Sequence, residues 1–216
     1  MKKKTYDKLY SKYIFSVNFI IRKIIMNYDI YGGIISSGLT LSDWDHMYIS
    51  SGGTADNTTL ISGGFIYISS GGVANSTTFN SGGWMSISSG GTANNTRVNS
   101  DGTMYIYSGG TADNTTINYY GSMNIYGGTA NNTDISNAGE MCIFSGGTAN
   151  STTVNQGGWM YLYDGTANST TVNSEGAMEI YSGTATNIVV KAGARLGITV
   201  APDTYIQGTY KVLHLK

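Results

Sequence analysis

One cysteine, one proline, two histidines and a charged fraction of only 12% distinguish this 216-residue chain by what it lacks. A lone sulfur excludes a disulfide-stapled scaffold and a thiolate zinc cage, since each needs several cysteines brought together. Two histidines leave little metal chemistry. No run approaches the roughly 18 apolar residues of a membrane-spanning helix. Glycine is abundant, with 30 residues, and Ser, Thr and Asn crowd beside it. Yet 40% of the chain is hydrophobic and 12% aromatic, which is too much for a disordered linker. The polar residues must therefore be interleaved with a core-forming pattern.

That pattern is a repeat. Gly-Thr-Ala or a close variant begins at Gly53, Gly72, Gly91, Gly110, Gly128, Gly147, Gly165 and Gly183, a period of 18 or 19 residues. Each unit reads as two short strand-like runs separated by glycine-containing turns, and neither run is long enough for a helix. Alternation within the longer run directs two lines of residues inward. The first is Met47, Ile66, Met85, Met104, Met123, Met141, Met160, Met178 and Leu196; the second runs from Ile49 to Ile198. The shorter run adds a line from Leu41 to Val190, a Thr line from Thr58 to Thr170 and an Ala line from Ala55 to Ala185.

Five residues always separate the Ala line from the Val-type line, and six separate that line from the Met line, so length varies only in the turn after the Ile line. Side chains that stack in register refuse insertions, whereas exposed turns accept them. The expected fold is an all-β, single-stranded β-solenoid (β-helix) of about nine 18 to 19-residue coils, with two short strands per coil. Three large apolar side chains per coil yield roughly 5 to 9 kcal/mol, against roughly 20 to 40 kcal/mol to order nineteen backbones. A coil cannot stand alone, and the array must supply the difference through contacts with both neighbours.

Three segments follow. Residues 1–26 form a basic N-terminal segment or cap that is not necessarily part of the mature protein, holding seven of the twelve Lys and Arg residues. Its apolar stretch is interrupted by Asn18, ended by Arg22 and Lys23, and followed by no small-residue cleavage site, so it falls short of a signal peptide. Residues 27–200 are the repeat domain. Residues 201–216 read as a C-terminal cap or a truncated continuation. Between Asn27 and Val190 eleven acidic residues face Arg97 alone, which disfavours nucleic acid as a partner.

The wording of the repeat carries a family likeness. Gly-Gly-Thr-Ala-Asn-Ser-Thr-Thr-Val-Asn at 146–155 and Asn-Ser-Gly-Gly-Trp-Met-Ser-Ile-Ser-Ser-Gly-Gly-Thr-Ala at 80–93 closely resemble the passenger repeats of AIDA-like autotransporter adhesins of the diffuse-adherence type. The likeness extends over about residues 32–200, and Leu196 to Gln207 resembles sequence found after such repeats. It implies a non-enzymatic, surface-displayed or secreted solenoid that presents repeated loops for adhesion. It also implies partners: a protein O-heptosyltransferase acting on hydroxyl side chains, and a receptor or glycan on a host or bacterial surface. Transferred onto this chain, the implied sugar acceptors are Ser50, Ser51, Ser69, Ser70, Ser88 and Ser89, with Ser108, Ser145 and Ser182 in variant turns. The alternatives are a carbohydrate-active solenoid enzyme and a passenger fragment with no role of its own.

Other residues invite readings without the likeness. Outward slots hold Tyr48, Phe65, Tyr67, Trp84, Tyr105, Trp159 and Tyr161, a candidate binding face or a set of inter-coil contacts. Asn-x-Ser/Thr triplets begin at Asn57, Asn75, Asn94, Asn114, Asn131, Asn150 and Asn168, the pattern of N-linked acceptors or repeat wording. An outward Thr row from Thr59 to Thr171 suggests an ice-binding face but is interrupted by Arg97 and Asp134. Asp43, Asp45 and His46, around Trp44, are the closest approach to a catalytic cluster. Cys142 is expected outward, as an exposed free thiol without basic neighbours to activate it. No cofactor is implied.

Overall fold

The computed structural model describes residues 25–199 and 205–207, and its secondary structure there is made of strands and turns. The strands stack in parallel, each on the equivalent strand of the next coil. Phe65–Ile68 pairs with Trp84–Ile87, and that strand with Thr103–Tyr107, so Ile66, Met85 and Met104 lie in register, followed by Met123. The chain is a β-solenoid.

All seven methionines from Met47 to Met178 on the first inward line are fully buried, as are the Ile-type line from Ile49 to Leu162 and the Ala line from Ala55 to Ala185. Tyr28 and Ile30 pair with Met47 and Ile49, extending both lines one coil upstream of the repeat's legible start. At the other end Ile198 is 40% exposed, because among the described residues no strand lies on its far side. Tyr205–Gln207 pairs with Thr184–Thr186 and continues the stack. The other residues assigned to the N- and C-terminal caps lie outside the described ones, apart from Ile25 and Met26.

Each coil has three sides, because the shorter of its two runs is bent by a corner. The shorter run bends at Asn57, Ser76, Asn95, Asn114, Asn132, Ser151, Ser169 and Asn187, all with φ between 53° and 58°. Asn tolerates this left-handed corner better than most residues. In the early coils the bend splits the run, as in Val73–Asn75 and Thr78–Phe79; in Thr111–Ile117, Thr129–Ile135 and Thr148–Val154 the ladder continues through it, and at Ser169 and Asn187 it is split again. The Gly that opens each Gly-Thr-Ala is required by close approach: a Cβ on Gly72 would sit 2.3 Å from the Ile49 carbonyl oxygen of the coil before.

The inward Thr line is buried to within 1% of full, and the hydroxyls of Thr77, Thr96, Thr115, Thr133 and Thr152 have no hydrogen-bond partner. Thr170 Oγ1 approaches Met160 Sδ at 3.9 Å.

Candidate functional site

The turn between the first and second sides is built from sequence alone. In Ser50 to Gly53 the Gly53 N–H donates to the Ser50 carbonyl at 2.8 Å, with Ser51 at φ 50° and Gly52 at φ 78°. Two consecutive positive φ values define a type I′ turn, in which Gly at the second position is favoured. The same geometry recurs at Ser70-Gly71 and Ser89-Gly90. Successive turns are tied to one another: the Ser51 N–H donates to the Ser70 carbonyl and the Ser70 N–H to that of Ser89, each at 2.9 Å. The turn serines therefore form a single file at the coil spacing of about 4.8 Å.

The two serines of each Ser-Ser-Gly-Gly are not equivalent. Ser51, Ser70 and Ser89 occupy the tip and are exposed, as are Ser108 and Ser145; Ser50, Ser69, Ser88 and Ser182 are half-buried. Later coils explain the difference. Ser50, Ser69 and Ser88 stand at the end of the first side, where Tyr107, Tyr126, Phe144, Tyr163 and Tyr181 stand further along. The first serine thus holds a slot in the outward face of the sheet, and the second holds the turn.

That outward face carries a continuous aromatic ladder. Tyr48 lies 5.0 Å from Tyr67 between ring centroids, and Tyr126 is 4.4 Å from Phe144 with planes 3° apart. From Phe144 the ladder passes to Tyr163 and Tyr181. Coplanar rings side by side cannot approach so closely, so these pairs overlap face on face. Phe65, Trp84 and Tyr105 join it through tilted contacts, and Trp159 and Tyr161 through stacked ones. All seven aromatics singled out from sequence lie on this face, but most of their faces are taken by neighbouring rings. Tyr107, Tyr126, Phe144, Tyr163 and Tyr181, missed because they sit in the variable-length turn region, complete the ladder.

The Asn-x-Ser/Thr triplets divide likewise. Asn57 and Asn114 are exposed corners. Asn75, Asn94, Asn131, Asn150 and Asn168 instead donate their side-chain amides along the rod, to Asp56, Asn75, Asp113, Asn131 and Asn150 at 2.7 to 3.0 Å. An amide nitrogen held in such a ladder is a poor sugar acceptor, so at those five positions the N-linked reading gives way to packing.

Asp45 spends its carboxylate on structure, accepting the N–H of Met26 at 2.9 Å and that of Ser42 at 3.1 Å, while the His46 ring stacks 4.8 Å from Phe65. Among the described residues no group of three His, Cys, Asp or Glu side chains is placed to hold a metal ion. Cys142 corrects the expectation of an exposed thiol: it is buried, its sulfur lies 3.1 Å from Glu140 Oε1, and burial, helped by that carboxylate, pushes the thiol far above its ordinary pKa. The outward Thr row is present, and exposed Arg97 and Asp134 interrupt it.

The family described as "Adhesin of bacterial autotransporter system, probable stalk" matches residues 67–121 and 117–176, together just over half of the chain. The chain belongs to this autotransporter adhesin stalk family. Among solved structures, the stalk is similar to the TibC-catalyzed hyper-glycosylated TibA55-350 fragment, at 29% identity and a TM-score of 0.53, over 83% of this chain and 82% of that one. No curated protein gave a match. No described helix is long and apolar enough to cross a membrane.

Proposed function

We propose that this chain is a non-enzymatic stalk segment of a surface-displayed or secreted adhesin passenger, and that its turn-tip serines Ser51, Ser70, Ser89, Ser108 and Ser145 accept O-linked heptose from a dedicated transferase. The observation that carries this reading is the single file of exposed hydroxyls, each on a turn flanked by glycine, where an enzyme meets little steric obstruction. A Cβ at Gly52 would meet nothing within 4 Å. The glycosylated state of the similar TibA fragment supports it. Ser50, Ser69 and Ser88 are weaker acceptors, because they belong to the sheet face. Regular presentation along a stiff rod lets weak contacts to a receptor add.

The test is intact-mass analysis with peptide mapping of the protein from its native host, or after co-expression with a protein O-heptosyltransferase. Heptose-sized increments located on Ser51, Ser70 and Ser89 are expected. Unmodified mass, or sugars confined to the first serine of each pair, would contradict the proposal.

A further inference from the structure

The turn row that closes the third side contains a pair of residues that coil packing does not call for. In Asn118 to Gly121 the Gly121 N–H donates to the Asn118 carbonyl at 2.9 Å, and Tyr119 and Tyr120 hold the central positions at φ 48° and 66°. Elsewhere the same positions carry Ser62-Gly63, Ser100-Asp101 and Asn137-Ala138. A bulky residue in left-handed backbone is an outlier, and such outliers concentrate where function retains them. Nor does burial offset the strain: Tyr119 is 59% and Tyr120 72% exposed. Neither ring stacks on another aromatic among the described residues. Their faces are open, unlike those of the ladder.

The row holds a second exposed aromatic. Trp44 occupies the second central position of the Ser42 to Asp45 turn, at φ 75° and 63% exposed, with one face stacked at 5.6 Å on Phe65 and only the other available to a ligand. Four coils separate it from Tyr120, about 19 Å at the usual spacing. The turns between them, Ser62-Gly63, Ser81-Gly82 and Ser100-Asp101, are low and polar. A Cβ at Gly63 or Gly82 would meet nothing within 4 Å. The edge is thus a shallow saddle of hydroxyl, backbone and carboxylate groups with an aromatic at each end.

We infer that this edge binds an extended, neutral oligosaccharide lying along the rod, with one sugar packed on Tyr119 and Tyr120 and another on Trp44. The apolar C–H face of a pyranose fits an open aromatic face, and its hydroxyls fit the polar floor, the usual mixture of apolar contact and a few placed polar groups. Asp101 on the saddle and the acidity of the rod exclude sulfated or carboxylated chains. This names a ligand class for the adhesin reading and rests on it for biological context. The site itself needs no modified serine, because the serine file lies on a different corner of the coil.

The experiment titrates the purified, unmodified chain with cellohexaose and with chitohexaose, using calorimetry. Maltohexaose, which is curved, and a heparin-derived hexasaccharide serve as shape and charge comparators. The double variant Tyr119→Asn/Tyr120→Gly places residues suited to the type I′ turn, so it removes both rings while relieving the backbone. Binding of an extended neutral probe is expected, weakened about tenfold or more in the double variant and in Trp44→Gly, with no loss of melting temperature in the double variant. Absence of binding to both extended probes, equal binding by the double variant, or preference for the heparin fragment would overturn the inference. Cell adhesion that persists in the double variant would also overturn it, while leaving the adhesin reading intact.

Discussion

The side-chain amide of Asn131 donates to Asp113 Oδ1 at 2.7 Å, and there the amide ladder on the second side of the coil stops. Every amide in the ladder donates toward the N-terminal end. A carboxylate only accepts, so Asp113 has nothing to offer the Oδ1 of Asn94, its register partner in the preceding coil. Asp56 also ends a ladder, accepting from Asn75 at 2.8 Å. The rod therefore carries two amide ladders in series with an acceptor facing an acceptor between them.

Replacing Asp113 with Asn should join the two. Asp113→Asn is expected to raise stability by about 0.5 to 1.5 kcal/mol, the net value of a typical hydrogen bond. Chemical denaturation should show a higher midpoint at unchanged slope. A lower midpoint would mean that the carboxylate has a role the ladder does not reveal.

The unpartnered hydroxyl of Thr115 suggests a second stabilising change. Valine keeps the branched shape while removing a buried group whose desolvation is uncompensated, at about 1 to 3 kcal/mol. Thr115→Val should therefore melt higher in calorimetry. Destabilisation would show that the hydroxyl has a partner such as an internal water.

Cys142 predicts a dependence on pH. Its folded pKa lies above that of the unfolded thiol, because burial disfavours the thiolate. The stability this provides is intact below the unfolded value of about 8.5 and is lost progressively above it, since the unfolded chain releases the proton first. Between about pH 8.5 and 10 the native protein should lose stability faster than Cys142→Ala. Iodoacetamide should label Cys142 only after unfolding; rapid labelling of the native protein would contradict its burial.

The stacking lines were legible because they follow from period and alternation: Met85, Met104 and Met123 had to share a face once insertions were confined to one turn. The third side was not legible. It depends on one left-handed residue, Asn95 in its coil, and Asn within a run of strand-compatible residues does not announce its φ. The turn serines were found by family wording, but the distinction between Ser69 and Ser70 needed the sheet, which assigns one to a face and the other to a tip. Asn75 and Asn150 were visible as a motif, while their amide ladder appeared only once register placed equivalent residues above one another. Cys142 was placed in the correct outward slot but with the wrong exposure, since alternation says which face a residue takes and not how far its neighbours cover it.

The central claim is that each coil lies directly over the last. In a Cys142→Ser background, spin labels at Thr59→Cys and Thr171→Cys, which occupy the same slot six coils apart, measure it by pulsed electron resonance. Stacking predicts a narrow distance distribution near 29 Å, six steps of about 4.8 Å. A broad distribution centred near 60 Å, the span of a glycine-rich flexible chain of that length, would contradict the account.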